Sequence, residues 1–129
     1  MMVVFLLLAC DAGDDAGLVN GGDPYVAILE PLDEATVCGD PLRVEVDVAN
    51  FTLVEPVEDP AQAEAGTGHV DIMLNGQDAD MIWDLDTEIA GVDDGVWQLK
   101  VELSNADHTP VEPYIGELVY ITVNEDMCP

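Results

Sequence analysis

The segment Leu42-Arg43-Val44-Glu45-Val46-Asp47-Val48 alternates apolar and polar side chains without a break. The same period of two recurs in Trp97-Gln98-Leu99-Lys100-Val101-Glu102-Leu103. It recurs again at Val70, Ile72 and Leu74, and at Val119, Ile121 and Val123. In an extended chain, successive side chains point to opposite faces, so each run presents one apolar face and one wet face. That pattern belongs to half-buried antiparallel strands. No stretch carries the 3.6-residue stripe of an amphipathic helix. Turn signals bound the runs: Cys38-Gly39-Asp40-Pro41, Asn75-Gly76, Asp93-Asp94-Gly95 and Asn105-Ala106-Asp107. The expected strands are Tyr25–Glu30, Ala35–Val37, Leu42–Asn50, His69–Asn75, Ala79–Asp84, Thr87–Ala90, Val96–Ser104 and Glu117–Asn124. Seven or eight short strands predict an all-β fold, an antiparallel β-sandwich of immunoglobulin or fibronectin III-like kind, with a small β-barrel as the alternative.

The chain has 129 residues, 28 acidic and only two basic side chains, Arg43 and Lys100, for a formal net charge of −26. Such a chain has no cationic surface to displace counterions from phosphates, which excludes nucleic acid as a partner. It also argues against docking on an anionic membrane through a basic patch. At 49% apolar residues the chain is too hydrophobic for an acidic disordered tail. The plain reading of the acidity is solubility or adaptation to salt.

The chain divides into three stretches. Residues 1–9 are an apolar run, far shorter than the ~20 residues that span a bilayer but long enough for the core of a signal peptide. Residues 10–23 join Cys10 to a Gly- and Asp-rich tether without periodicity. Residues 24–129 hold the strands. Leu7-Leu8-Ala9-Cys10 resembles a bacterial lipobox, with an aliphatic residue at −3, a small residue at −1, then cysteine. The resemblance implies that Cys10 is lipidated, that residues 1–9 are removed, and that the protein is held in the cell envelope by its acyl chains. Each buried methylene adds ~0.8 kcal/mol, so several chains anchor stably without a transmembrane helix. Asp11 follows the lipidated position, where some enteric bacteria associate Asp with inner-membrane retention; that rule varies between lineages and leaves the choice of inner or outer membrane open.

A second resemblance runs through Val26–Val123. Ile28-Leu29-Glu30-Pro31, Ala35-Thr36-Val37, Gly68-His69-Val70-Asp71-Ile72 and Asp107-His108 are similar, in order, to motifs of a group of small bacterial periplasmic domains. Where those domains carry several consecutive histidines, this chain has His69 followed by Val70 and Asp71.

Cys38 and Cys128 remain once Cys10 is assigned to lipid. In an exported protein such a pair is expected as a disulfide. In sandwiches of this type the second half of the first strand runs parallel to the last strand, which places both cysteines at one end. The two histidines are the other informative pair. His69 opens one strand and His108 follows another, and the two strands are antiparallel neighbours in a sandwich. Both imidazoles are therefore expected at the same end, with Asp71 on the parity of His69 and Asp107 beside His108. Two imidazoles and a carboxylate form a ligand set for Zn²⁺ or Cu²⁺. The plainer reading has His69 capping a strand and His108 hydrogen-bonded within its loop. The acidic set Asp78, Asp80, Asp84, Asp86, Glu88, Asp93 and Asp94 raises Ca²⁺, but no EF-hand spacing occurs, and alternation along a strand marks solvated positions.

No G-x-S-x-G, H-E-x-x-H or P-loop is present, and the carboxylates of Asn75–Met81 carry little catalytic weight in so acidic a chain. Trp97 lies on core parity; Trp83, between Ile82 and Asp84, is expected to be partly exposed. The segment Phe51–Gly68 is long, holds Pro56 and Pro60, and lies at the histidine end, where a recognition face is expected. The expected function is a lipid-anchored, non-enzymatic binding or structural module of the envelope, its partner an envelope protein or ligand. The alternatives are a periplasmic Cu/Zn-binding protein and a Ca²⁺-dependent adhesion module.

Overall fold

In a computed structural model, which describes residues 22–129, the alternating runs become strands in two sheets. The strands are β1 (Tyr25–Glu30), β2 (Thr36–Val37), β3 (Leu42–Ala49), β4 (Thr52–Leu53), β5 (Thr67–Leu74), β6 (Gln77–Ile82), β7 (Asp86–Ile89), β8 (Gly95–Asn105) and β9 (Gly116–Val123). One sheet runs β2-β9-β8-β5-β4, with β6 also paired to β5; the other is β1-β3-β7. Eight of these strands match expected ones to within two residues at each end. The ninth, β4, lies in the segment expected to be an unstructured connection. It pairs parallel to the start of β5, Thr52 with Thr67 and Leu53 with Gly68.

The core lies between the sheets and is built by the apolar parity of each strand. Leu42, Val44 and Val46 of β3 are buried, while Arg43 and Asp47 are exposed and Glu45 half-buried. They meet Val70, Ile72 and Leu74 of β5, Leu99, Val101 and Leu103 of β8, and Val119, Ile121 and Val123 of β9. Burying one such side chain contributes about 1.5–3 kcal/mol. Trp97 packs against this core and its indole N–H donates to the Asp93 carbonyl at 2.8 Å. Trp83 is exposed.

Two features fix the ends. β2 runs parallel to the end of β9, Thr36 with Thr122 and Val37 with Val123. That pairing brings Cys38 beside Cys128, and the two form a disulfide with Cα atoms 4.7 Å apart. At the other connection, Asn75 and Gly76 both take positive φ, +52° and +82°, the conformation a two-residue hairpin between β5 and β6 requires. The Asn75 carboxamide oxygen also accepts from Gln98 N–H at 2.8 Å, tying that hairpin to β8. The tract Asn75–Met81 is thus a hairpin turn and the strand that leaves it.

Candidate site at the histidine end

β5 and β8 are antiparallel neighbours, with His69 opposite Ser104 and Asp71 opposite Glu102. The parity that sends Val70 and Ile72 into the core sends His69 and Asp71 to the outer face of the larger sheet. His69 is nevertheless completely buried. The ring of His108 stands near it, with centroids 5.1 Å apart and planes tilted by 58°. His108 sits in the turn that follows β8, at φ +72°, and is exposed. That turn is closed by His108 N–H donating to the Asn105 carbonyl and by Asn105 N–H donating to the Thr109 carbonyl, both at 2.8 Å.

The segment Phe51–Gly68 closes the same end. Val57 N–H donates to the Ala106 carbonyl at 3.0 Å, and Ala106 N–H donates to the Thr67 carbonyl at 3.2 Å. Within it Asp59 caps a single 3₁₀ turn, Pro60–Gln62, by accepting from Ala61 N–H at 3.0 Å. Gly68 has a clear steric reason. A Cβ there would lie 1.8 Å from the Ser104 carbonyl oxygen and 2.8 Å from the Phe51 ring.

Polar groups around His69 are unequally served. His69 Nε2 lies 3.3 Å from Asp71 Oδ1, a charge-pair distance, yet neither ring nitrogen makes a well-aligned hydrogen bond. A buried imidazole left this way is an unusual cost, because buried polar atoms are nearly always paired. The other oxygen of Asp71 is held firmly: the buried Ser104 hydroxyl donates to Oδ2 at 2.5 Å. Burial on its own would raise the pKa of Asp71. The adjacent His69, the Ser104 hydroxyl and the charge of His108 outweigh it, so the carboxyl ionises below its usual range. Glu102, directly across from Asp71, is the like-charge neighbour that sheets ordinarily avoid. Lys100 Nζ, 3.6 Å from Glu102 Oε1 and 6.0 Å above the Tyr114 ring, offsets part of that repulsion.

The structure therefore brings together three of the four residues the sequence pointed to: His69, Asp71 and His108. Asp107 turns elsewhere. Its Oδ1 accepts from Thr109 N–H at 3.1 Å and from the Thr109 hydroxyl at 2.6 Å, bonds that lower its pKa. Ser104 and Glu102 were not singled out from sequence. Their signal was present in the alternation, since both share outward parity with Lys100 on β8.

The acidic set considered for Ca²⁺ is spread over several tasks. Asp80 accepts from the Thr87 hydroxyl at 2.7 Å, Asp86 pairs with Arg43 at 3.3 Å, and Asp94 accepts from Glu125 N–H at 2.9 Å. Among the described residues, no three His, Cys, Asp or Glu side chains are already drawn together in a way that would hold a metal ion. Cys10 and its neighbours lie outside the described residues, and no described helix is long and apolar enough to cross a membrane.

No known family matches the chain, and no curated protein matches it. Solved structures do. Fibronectin(III)-like modules of CbhA from Clostridium thermocellum superpose with a TM-score of 0.53 at 15% identity, over 79% of this chain and 47% of theirs. An engineered protein matches with a TM-score of 0.49 at 14% identity, over 92% of this chain and 21% of its own. The chain spans about half the length of the first and about a fifth of the second. The fold is an immunoglobulin/fibronectin III-like β-sandwich.

Proposed function

We propose that the protein is a lipid-anchored cell-envelope module that acts by binding or as a structural element and not by catalysis. The observation that carries this reading is the clamp between Cys38 and Cys128. A disulfide persists in oxidising compartments outside the cytosol, and it closes a fold that elsewhere occurs as a module in a larger chain. An exported destination agrees with the lipobox-like Leu7-Leu8-Ala9-Cys10. The acidic tether of residues 11–23 then holds the sandwich away from the membrane. The binding surface is the histidine end, where the Phe51–Gly68 segment and the turn after β8 meet.

The test is expression of the full chain in a bacterial host fed labelled palmitate, beside a Cys10→Ser variant. The wild-type chain is expected to carry label and to fractionate with membranes, and Cys10→Ser to lose both. An unlabelled wild-type chain recovered in the soluble fraction would sink the anchoring.

A further inference from the structure

The outer face around His69 holds a combination that the packing of the sandwich does not require. A fully buried imidazole has both nitrogens without a hydrogen bond. A carboxylate stands 3.3 Å from one of them. A second, exposed imidazole lies over the first. We propose that His69, Asp71 and His108 bind one divalent transition-metal ion, Zn²⁺ or Cu²⁺, through His69 Nε2, Asp71 Oδ1 and the ring of His108.

The spacing carries the argument. Donors about 2.1 Å from a tetrahedral ion stand about 3.4 Å from one another. The separation of His69 Nε2 from Asp71 Oδ1 is 3.3 Å. Two imidazoles sharing such an ion have ring centroids about 5 Å apart. Those of His69 and His108 are 5.1 Å apart. The poor alignment that denies His69 and Asp71 a hydrogen bond is no obstacle to an ion between them. The surroundings suit the ligands. Ser104 holds the far oxygen of Asp71 and fixes its orientation, as outer partners of metal ligands do. Glu102 opposite Asp71 adds negative charge that a dication relieves.

One adjustment closes the set. The three donors do not yet surround one point, and His108, exposed at the tip of its turn, is the side chain free to rotate. Two imidazoles and one carboxylate leave a fourth position open to water. Imidazole suits both Zn²⁺ and Cu²⁺, and Cu²⁺, which stands above Zn²⁺ in the general stability order, is the probe whose ligands can be read by resonance. The inference uses the fold and not the membrane anchor, so its failure would leave the lipid-anchored module intact, and failure of palmitate labelling would leave the metal site intact.

The experiment uses the oxidised full chain in a Cys10→Ser background, which removes a competing thiol. The chain is stripped with chelator and titrated with Cu²⁺ at physiological salt, by calorimetry and electron paramagnetic resonance. The expected result is one Cu²⁺ per chain, at micromolar affinity or tighter, with coupling to two imidazole nitrogens. His108→Asn keeps the left-handed turn residue, because Asn tolerates φ > 0. It is expected to melt as the parent does, to weaken binding by about tenfold or more, and to lose one nitrogen coupling. Asp71→Asn is expected to weaken binding comparably with both couplings retained. His69→Gln, at the buried position, is read only if its melt matches the parent. Copper bound through oxygen alone, unchanged affinity in His108→Asn, or no binding at micromolar metal would each overturn the proposal.

Discussion

Gly68 shows how closely the histidine end is packed. Its missing side chain lets the Ser104 carbonyl and the Phe51 ring approach the β5 backbone, and His69 follows it directly. In Gly68→Ala the added carbon meets backbone, which cannot swing aside as a flexible side chain can. Overpacking of this kind costs about 1–3 kcal/mol, and the backbone contact places Gly68→Ala at the upper end. Urea unfolding should show a lower midpoint at unchanged slope. A midpoint within error of the parent would mean that β5 and β8 separate easily here. The meeting of His69 with His108 was legible in sequence because it needs only topology: two antiparallel neighbours, one histidine opening the first strand and one following the second. The burial of His69 was not. Its outward parity predicts exposure, and what buries it comes from elsewhere in the chain, with the turn that carries His108 among the packing partners. The destination of Asp107 was equally hidden, because an Asp two residues before a Thr captures its own turn through local hydrogen bonds.

Strands β3, β5, β8 and β9 were legible because each carries a run of apolar residues on one parity facing one core, and β1 because its apolar run Tyr25–Leu29 is bounded by turn residues. β4 was not, since Thr52-Leu53 is too short to show a period; it is a strand only because Thr67-Gly68 lies alongside. The cysteine pair was legible through the order of elements. A first strand whose second half runs beside the last strand puts Cys38 and Cys128 together across a separation of 90 residues. A loop of that size restricts the unfolded chain by roughly 4–5 kcal/mol in the entropic account, and removal of native disulfides costs about 2–5 kcal/mol in practice. The double variant Cys38→Ser/Cys128→Ser is expected to lose stability in that range. Reductant should reproduce the loss in the parent and leave the variant unmoved. Equal stability of oxidised and reduced parent would show that the pairing of β2 with β9 holds that end without the covalent link.

The chain's net charge of −26, with all but four of its acids in residues 24–129, sets the sandwich's response to salt. The two cations are local. Arg43 lies 3.3 Å from Asp86 and 3.9 Å from Glu30, and Lys100 lies 3.6 Å from Glu102. Arg43 and its partners are about half exposed, and exposed pairs contribute only about 0–1 kcal/mol each. Screening them costs little. The remaining carboxylates repel one another in the folded state more than in the expanded chain, so screening that repulsion favours folding. The Debye length is about 30 Å at 0.01 M salt, spanning the molecule, and about 10 Å at 0.1 M, which confines repulsion to near neighbours. The repulsive side has far more members, so it wins, and added NaCl should stabilise the protein. Between about 0.01 and 0.3 M the gain is expected to be on the order of 1–2 kcal/mol, which for a domain of this size is a rise in Tm of roughly 4–10 °C. Most of it should arrive below about 0.1 M, where the Debye length falls fastest. Thermal melts at fixed pH along that series check both the sign and the shape. A Tm that stays level or falls would mean that the few attractive pairs outweigh the repulsion, and that the acidic surface is arranged to keep its charges apart.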